Sequence, residues 1–280
     1  MNIVISGLGI IGGSYARAIK KYTDHYVIGI NRSPAPLREA LECGAIDEMG
    51  DIHSLEKADM LILGTFPEAA VSFVRDNADL IPRSCIVTDT SGIKSVIFPE
   101  LSQLSEKYGF PFVGCHPMAG KEKNGFGASD ADLFKGASCI LVPCERDDDE
   151  YKNAVQTVAR LAKSIGFAKN VYTTPQEHDR MIAFTSQLPH ALACAYVQSP
   201  VCKKHDGFSA GSYRDISRVA NINARLWTEL FLENSSPLTE ELDILISGLS
   251  EIRDAIKEND SEKLRSYLEK SRQIKEKLGE

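Results

Sequence analysis

A histidine at position 116 directly follows an apolar run, in Val113-Gly114-Cys115-His116-Pro117. Such a run is typical of a buried strand, and ligands of open α/β sheets bind just beyond the carboxyl ends of the strands. An imidazole there can take the proton of a substrate hydroxyl while hydride leaves the carbon that bears it. The sequence therefore predicts His116 as the general base of a dehydrogenation. The alternative is a histidine that only ties down its own loop.

A second polar cluster lies in the C-terminal half, at Ser186 and His190. The two residues are four apart and would share one face of a helix. Pro189 should bend that helix, because proline lacks a backbone N–H. Both side chains are candidates for substrate contact. A histidine in so apolar a segment is more often a hydrogen-bonded core residue, and the pattern alone favours that interpretation.

Two arginines follow a glycine-containing turn, with Arg214 and Arg218 four residues apart shortly after Gly211. Two guanidinium groups on one helix face suit a dicarboxylate substrate, unless one of them pairs with a nearby acid such as Asp215. Trp227 is the single tryptophan. It is as compatible with a core or interface anchor as with a wall of the substrate pocket.

The N-terminus carries a dinucleotide-binding fingerprint, Gly7-Leu8-Gly9-Ile10-Ile11-Gly12, directly after a strand-like run. Gly7 permits the tight turn, Gly9 lets the pyrophosphate approach the backbone, and Gly12 allows helix and strand to pack closely. The following helix, beginning around Ile10 and Ile11, would present its N–H groups to the phosphates. A glycine-rich turn alone is a weak signal, but this one stands between a strand and a helix, as a cofactor site requires.

Residues after the next two strand-like runs bear on which dinucleotide binds. Asn31, Arg32 and Ser33 follow the second run, where an acidic residue would bind the ribose hydroxyls of NAD. Asn31 is uncharged and Arg32 can pair with a 2′-phosphate, so the sequence favours NADP over NAD without forbidding NAD. Thr65, in Gly64-Thr65-Phe66-Pro67, follows the third run and is predicted to line the same crevice.

The hydrophobic pattern predicts the scaffold that positions these residues. Up to about residue 172, short apolar runs alternate with helix-length segments. This alternation predicts a parallel sheet covered by helices on both faces, a Rossmann-like, doubly wound α/β domain over residues 1–172. An Asp-rich stretch at 147–150 should begin an amphipathic helix that runs to about 164. The predicted strands are 2–6, 26–30, 60–64, 85–88, 111–115, 138–142 and 170–172.

Beyond Tyr172 no convincing strand remains, and residues 173–280 are predicted to form an all-α domain. The segment 177–198 is apolar almost all round and should be a buried helix. Leucines and isoleucines recur at three- and four-residue spacing from Leu238 to Ile256, and a last helix should begin at Asp260 or Ser261. Such helices can bind substrate and also pair two subunits, so we expect a homodimer through this domain.

The composition excludes several classes of protein. The 280 residues are 43% hydrophobic and 25% charged with a net charge of −7, which is ordinary for a globular protein and too acidic for a broad grip on nucleic acid. Seven scattered cysteines without a CxxC pair favour reduced thiols and argue against a metal site. No apolar run approaches the roughly 20 residues of a membrane span, and no signal-peptide pattern opens the chain. We expect a soluble, cytoplasmic protein without a metal.

Four motifs, taken together, resemble those of the prephenate dehydrogenase family of tyrosine biosynthesis, and the resemblance covers nearly the whole chain. They are GLGIIGGS at 7–14, GCHPMAGKEKNG at 114–125, EHDRMIAFTSQLPH at 177–190 and GSYRDISRVA at 211–220, with Trp227 beyond them. The resemblance implies NAD(P)-dependent oxidative decarboxylation of prephenate to 4-hydroxyphenylpyruvate and carbon dioxide.

The resemblance also implies roles for single residues. His116 would take the proton of the ring hydroxyl, Arg218 would hold the ring-carboxylate region, and His190 would lie at the substrate side chain or the nicotinamide edge. Gly211 and Trp227 match family positions that shape the substrate pocket. In one version of this expectation, they reach the pocket from the other subunit of a dimer. The family usually has a serine near the catalytic histidine at the position of Gly92. Here Ser91 stands one residue earlier, and its hydroxyl would reach the site only through a local shift of the chain.

Other functions remain open at this stage. An arogenate dehydrogenase would perform the same chemistry on the aminated side chain, and the motifs do not separate the two substrates. A related hydroxyacid dehydrogenase would use a lysine on the helical domain, but residues 176–198 contain none. A non-catalytic dinucleotide sensor would bind cofactor without turnover, and would leave His116 and the two arginines unexplained.

Overall fold

The computed structural model of the chain describes residues 1–121 and 123–279. These residues form two compact units, and each is described by itself. The first unit comprises Met1–Ile182 and Ile222–Glu233, and the second comprises Ala183–Asn221 and the described residues from Asn234 onwards. The division does not fall at a single point of the chain. It places 173–182 and 222–233 with the N-terminal unit, whereas the sequence-based division assigns them to the helical domain.

The first unit contains eight strands, which form one sheet in the order β3-β2-β1-β4-β5-β6-β7-β8. All neighbouring pairs are parallel except β6 and β7, which are antiparallel. The strands are β1 (Asn2–Ser6), β2 (Tyr26–Ile30), β3 (Glu48–Met49), β4 (Met60–Leu63), β5 (Ile86–Asp89), β6 (Phe112–Pro117), β7 (Ser138–Pro143) and β8 (Lys169–Tyr172).

Helices of the first unit connect most of these strands. The mostly parallel sheet with flanking helices confirms the predicted Rossmann-like class. Helix α5 is the amphipathic helix predicted after the Asp-rich stretch, and the Asp148 side chain accepts a hydrogen bond from the Tyr151 N–H at its start. The helices are α1 (Ile10–Tyr22), α2 (Pro34–Glu42), α3 (Pro67–Asn77), α4 (Phe98–Tyr108), α5 (Asp149–Ser164) and α6 (Pro175–Ile182), with α9 (Ala224–Glu233) from the later segment.

Both faces of the sheet are buried. Along β1, Ile3 and Ile5 belong to one cluster of buried apolar side chains, while Val4, which points to the opposite face, belongs to another. Successive side chains of a strand alternate between faces, so continuous apolar runs are needed when helices cover both sides. This burial holds the strand ends rigidly, and residues just beyond those ends are well positioned for a site.

Two features of the sheet differ from the prediction. Strand β3 was not predicted because two residues, Glu48–Met49, are too few to show a hydrophobic pattern. The sheet is also not wholly parallel, since β7 reverses direction relative to β6. Among the described residues, the connection between β6 and β7 contains a short 3-10 turn at Phe126–Ala128 and no α-helix. An antiparallel neighbour can be reached without the crossover that a parallel one requires.

The second unit is helical. Its predicted last helix begins at Ser261, with the Asp260 side chain accepting a hydrogen bond from the Lys263 N–H. A turn of π-helix, Ala183–Gln187, ends two residues before Pro189, which lacks the N–H that a regular helix uses for hydrogen bonding. The helices are α7 (Leu188–Val197), α8 (Gly211–Ser217), α10 (Ser235–Lys257) and α11 (Ser261–Leu278).

The predicted buried helix over 177–198 is wrong as a description of the single chain. The segment is divided into α6, the π-helical turn and α7, and large apolar side chains such as Met181, Phe184 and Tyr196 are exposed. The leucine and isoleucine stripe of α10 is likewise only partly buried, since Leu238 is buried while Leu249 and Ile256 are exposed. An all-round apolar pattern predicts that a helix is buried. It does not show whether the same chain or another chain buries it.

In the part of the chain that the structure describes, no helix combines the length and the apolar character needed to cross a membrane. All seven cysteines are free thiols. No cluster of three or more potential ligands is arranged around a possible metal position among the residues 1–121 and 123–279.

Candidate functional site

The glycines of the N-terminal fingerprint form a tight junction between β1, β4 and α1. Gly7 has a φ of +95°, which favours glycine, and its N–H donates to the carbonyl of Ile30 at 2.8 Å. A Cβ placed on Gly12 would lie 2.0 Å from the Gly7 carbonyl oxygen, and one on Gly64 would lie 2.7 Å from the same oxygen. The junction therefore excludes side chains at Gly7, Gly12 and Gly64.

Gly9 is different, because a Cβ there would meet nothing within 4 Å. Gly9 is the N-cap of α1, and as a glycine it has no side chain to bond the first N–H groups of the helix. Thr65, whose methyl group packs against Gly7, has a buried hydroxyl without a hydrogen-bond partner among the described residues. Open space over Gly9, uncapped N–H groups and an orphaned hydroxyl fit the pyrophosphate and sugar of a dinucleotide.

The end of β2 is tied to the fingerprint turn. The Asn31 side-chain oxygen accepts a hydrogen bond from the Leu8 N–H at 3.0 Å, and its amide nitrogen donates to the Ser33 carbonyl at 2.9 Å. Asn31 therefore fixes two turns and brings no negative charge. Arg32 and Ser33 are exposed, so both side chains are free to meet a ligand at this edge of the sheet.

His116 lies on β6, near the strand end, at the same edge as the fingerprint turn. The carboxyl ends of β1, β4, β5 and β6 meet there because these strands are parallel. Nδ1 of His116 is 2.9 Å from Nε2 of His178, a buried residue of α6. On the other side of the ring, a Cβ placed on Gly92 would lie 3.9 Å from Nε2 and 3.8 Å from the side chain of Leu230. The ring is thus held by one nitrogen, and the other faces the space beside Gly92.

Behind His178 stands a buried network of charged groups. Nδ1 of His178 is 2.6 Å from a carboxylate oxygen of Asp179. That carboxylate also accepts the backbone N–H groups of Lys94 and Ser95, at 2.8 and 2.7 Å. The Lys94 ammonium, fully buried, donates to Asp89 and to the carbonyl of Cys115, each at 2.6 Å. The loop after β5, the end of β6 and the start of α6 are therefore linked by side chains, which explains why α6 belongs to the first unit.

These surroundings change the acidity of the groups involved. Burial, together with the neighbouring His178 and the Lys94 ammonium, holds the pKa of His116 well below its ordinary value, while Asp179 acts in the opposite direction. Burial alone would raise the pKa of Asp179, but hydrogen bonds from His178 and from the Lys94 and Ser95 N–H groups lower it. His116 is therefore neutral, and Asp179 ionised, at neutral pH.

Ser91 does not take the place of a serine beside His116. Its hydroxyl is buried and has no hydrogen-bond partner among the described residues, while its N–H donates to Asp89 at 2.8 Å. Gly92, and not Ser91, is the residue next to the free nitrogen of His116. The local shift that would bring the Ser91 hydroxyl to the histidine is absent from this structure.

The second unit carries the second predicted histidine. His190 is half-buried, and its Nδ1 lies 2.7 Å from the backbone carbonyl of Ser186. The two residues are therefore linked through the backbone of Ser186 across the π-helical turn, and not through its hydroxyl. Because a carbonyl oxygen only accepts, Nδ1 of His190 donates this hydrogen bond.

Arg214 lies in α8 of the same unit, and Arg218 begins a short 3-10 turn directly after that helix. Arg214 and Arg218 are both exposed, and neither forms an ion pair within residues 1–121 and 123–279, so the alternative of a pair with Asp215 is not seen. Gly211 begins α8, and a Cβ there would meet nothing within 4 Å. Trp227 belongs to the first unit, on α9, where it is half-buried and packs edge-on against Phe231.

Sequence reasoning did not assign a role to three residues of this network, namely His178, Asp179 and Lys94. A local signal existed for two of them, since α6 contains a histidine followed at once by an aspartate and such pairs can orient an imidazole. Lys94 was not singled out, because a lysine in a polar loop is ordinarily exposed.

Two family models match successive parts of the chain. Residues 15–171 match the sequence model of the nucleotide-binding domain of prephenate dehydrogenase, and residues 174–270 match that of its dimerization domain. The chain is 32% identical to prephenate dehydrogenase of Bacillus subtilis over 289 residues, covering 99% of this chain and 76% of that protein.

Solved structures of two similar enzymes superpose on nearly the whole chain. Arogenate dehydrogenase of Synechocystis gives a TM-score of 0.85 at 26% identity, covering 99% of this chain and 100% of the other. Prephenate dehydrogenase of A. aeolicus, in complex with hydroxyphenyl propionate and NAD+, gives the same TM-score of 0.85 at 26% identity, covering 99% and 98%.

Proposed function

This chain belongs to the prephenate dehydrogenase family, and we propose that it is an oxidoreductase that converts prephenate, with NAD(P)+, to 4-hydroxyphenylpyruvate and carbon dioxide. The observation that carries the proposal is the position of His116. Its Nε2 has no hydrogen-bond partner among the described residues and faces Gly92, at the edge of the sheet that also carries the dinucleotide fingerprint. A dehydrogenase needs its base at that edge, where substrate and nicotinamide meet.

The dinucleotide, when bound, accepts the hydride from the ring carbon that bears the hydroxyl. Gly9, the first turn of α1 and the Thr65 hydroxyl would hold its phosphates and sugars, for the reasons of space and unpaired polar groups given above. His116 acts on the hydroxyl itself. Neutral Nε2 accepts its proton as the carbon–oxygen double bond develops, a form of catalysis typically worth about 10²–10⁴ in rate.

The proton returns to the product. Loss of the ring carboxylate as carbon dioxide leaves its electron pair in the ring, which becomes aromatic and places negative charge on the former hydroxyl oxygen. His116 then gives its proton back to that oxygen. Prephenate thereby loses one hydride and one carbon dioxide with no net proton uptake, so His116 must be able to accept and donate within one turnover. A depressed pKa makes the donating step favourable.

The residues of the second unit would bind the two carboxylates of the substrate. Arg218 is proposed to hold the ring carboxylate, with Arg214 as a second cation, because both guanidinium groups are exposed and form no internal ion pair among the described residues. His190 is proposed to contact the substrate side chain, near Ser186. Gly211 is proposed to leave room for the ligand.

Trp227 is proposed to form a wall of the pocket. For the cofactor we propose NADP+ in preference to NAD+. The support is the neutral Asn31, whose amide is occupied by two backbone groups, and the exposed Arg32 beside it. A second subunit is proposed to pair through the helical unit, consistent with the family description of residues 174–270 as a dimerization domain.

The test is a spectrophotometric assay of cofactor reduction with prephenate and with arogenate, each with NAD+ and NADP+. We expect the highest kcat/KM with prephenate and NADP+. A higher kcat/KM with arogenate would replace the proposed substrate by its aminated counterpart. Binding of dinucleotide without turnover of either substrate would show a sensor and overturn the proposal.

A further inference from the structure

Three side chains of the first unit form a continuous line from a carboxylate to the proposed base. Asp179 contacts Nδ1 of His178 at 2.6 Å, and Nε2 of His178 contacts Nδ1 of His116 at 2.9 Å. His178 and Asp179 are both buried, 1% and 2% exposed. Neither is needed to bind substrate or cofactor in the function proposed above, and buried polar groups of this kind call for an explanation.

The positions of the protons along this line follow from the donors that Asp179 receives. Its carboxylate already accepts the backbone N–H groups of Lys94 and Ser95, so it is an ionised acceptor and Nδ1 of His178 must donate to it. In a neutral imidazole the second nitrogen is then an acceptor. Nε2 of His178 can contact His116 favourably only if Nδ1 of His116 donates, which leaves Nε2 of His116 without a proton.

We propose that Asp179 and His178 are positioning residues that hold His116 in the tautomer with its proton on Nδ1, so that Nε2 is always the acceptor facing the substrate. The catalytic consequence rests on the function proposed above, whereas the tautomer itself does not. A dehydrogenase base in the opposite tautomer would present an N–H to the substrate hydroxyl and could not take its proton. Asp179 and His178 thus select the one neutral tautomer of His116 that can accept the proton of the substrate hydroxyl.

The alternative, an added proton shared by the two imidazoles, is disfavoured by the charges around them. The groups facing the pair are the Asp89 carboxylate at the end of β5, the Lys94 ammonium from the loop after it, and the Asp179 carboxylate from α6. Asp89 is paired with Lys94 at 2.6 Å, and Asp179 already accepts two backbone N–H groups and the Nδ1 hydrogen of His178. An added proton would therefore place a further cation in a buried site beside the Lys94 ammonium, which is costly. The depressed pKa of His116 agrees with a neutral ring.

The direct test is nitrogen NMR of the whole enzyme labelled with 15N-histidine, at pH 7.5 and without substrate or cofactor. His116 is assigned by the signal that disappears in His116→Asn. We expect its Nδ1 to show the shift of a protonated nitrogen and its Nε2 that of an unprotonated one. A proton on Nε2 of His116 in the wild-type enzyme overturns the proposal. Because no substrate is used, this result is independent of whether prephenate is the substrate.

A variant supplies the kinetic test. In Asp179→Asn the amide can donate to Nδ1 of His178, which would reverse both tautomers and place a proton on Nε2 of His116. We expect kcat to fall by about 10²–10⁴, the range of general base catalysis, with an unchanged dissociation constant for the dinucleotide. Asp47→Asn is the matched control: Asp47 also accepts a backbone N–H and an ammonium, at the opposite end of the sheet, and its kcat should not change.

The loss in Asp179→Asn could also come from a misfolded site, and two readouts separate the causes. His178→Gln leaves Asp179 and its backbone contacts in place and should also lower kcat, with the shift pattern of His116 becoming a mixture of tautomers. If Asp179→Asn is folded and keeps kcat within twofold of wild type, or if both variants keep the wild-type nitrogen shifts of His116, the positioning role is wrong.

Discussion

At the scale of single residues, the imidazole of His116 lies among charges that act in opposite directions. Burial of the ring, the neighbouring His178 and the Lys94 ammonium oppose its protonation, while the Asp179 carboxylate favours it. The opposing causes outweigh the carboxylate, so the neutral base is present well below the ordinary pKa of histidine. The buried Lys94–Asp89 pair therefore links β5 to β6 and also contributes to the range of pH over which His116 can act.

This balance predicts the pH dependence of kcat/KM. The base must be neutral, and its pKa lies below about 6.5, so kcat/KM should be level above pH 6.5 and should fall only as the pH drops further. In Lys94→Met with Asp89→Asn the cation is removed without leaving Asp89 as an unpaired buried charge, which would cost about 3–5 kcal/mol. The acid limb should then move to higher pH. An acid limb that stays in place would show that Lys94 does not act on His116.

Removal of the base itself gives a second prediction. His116→Asn keeps a polar side chain but cannot cycle a proton, so kcat should fall by about 10²–10⁴. The dinucleotide dissociation constant, measured by fluorescence of the reduced cofactor, should stay at the wild-type value because His116 lies outside the fingerprint turn. Turnover close to wild type would remove His116 from the mechanism.

The proposed cofactor preference depends on one exposed side chain. Arg32→Ala should raise KM for NADP+ while leaving KM for NAD+ nearly unchanged, because only NADP+ carries the 2′-phosphate that a guanidinium would bind. A charge-assisted contact is worth about 1.5–3 kcal/mol, which corresponds to roughly a 10- to 150-fold change in KM. Arg38→Ala, which removes a cation from α2, serves as the control for a general loss of positive charge. Equal effects of Arg32→Ala on both cofactors would contradict the preference.

At the scale of elements, the turn between β1 and α1 assigns different tasks to glycines that look alike in the sequence. Gly12 is required by the fold, since a Cβ would strike the Gly7 carbonyl at 2.0 Å. Gly9 is not, since its surroundings are open and its φ of −82° suits any residue. The fold of the chain therefore does not require a glycine at position 9, and the space above Gly9 is available to a ligand.

The pair Gly9→Ala and Gly12→Ala tests this division of tasks. Gly9→Ala should leave the free energy of unfolding within about 0.5 kcal/mol of wild type and weaken dinucleotide binding, because the methyl group enters the space of the pyrophosphate. Gly12→Ala should lower stability by 1 kcal/mol or more, in the range of about 1–3 for overpacking. Urea unfolding and cofactor titration of both variants give the two quantities. Wild-type cofactor affinity in Gly9→Ala would mean that the phosphates bind elsewhere.

The same elements show what the sequence could predict. The fingerprint, the alternating strands and the caps of α5 and α11 are local, so residues within a few positions of one another carry the signal. The line from Asp179 to His116 is not local, because His178 and His116 are 62 residues apart and meet only through the sheet. The reversal of β7 escaped prediction for a similar reason, since strand direction depends on the path of the connecting chain and not on the composition of the strand.

At the scale of the whole molecule, the two compact units differ in how far their apolar side chains are buried. In the first unit, continuous apolar runs are covered by helices on both faces of the sheet. In the second, large apolar side chains stay exposed along the long helices, including Ile244, Leu249 and Ile256 of α10 and Leu268 of α11. A monomer rarely exposes so many apolar side chains along neighbouring elements, and the usual explanation is a contact with another chain.

These exposed side chains predict the effect of charge on assembly. Leu249→Glu combined with Ile256→Glu places two carboxylates on α10 at positions that are 51% and 61% exposed in the single chain, so the fold of one subunit should tolerate both. If a second copy covers this surface, each carboxylate loses water on association, and such burial without a partner is strongly unfavourable. Analytical ultracentrifugation should therefore show a dimer for the wild type and a monomer for the double variant. Arg253→Ala, which changes an exposed polar residue of the same helix, should remain a dimer. A double variant that sediments as a dimer would place the subunit contact on another surface of the chain.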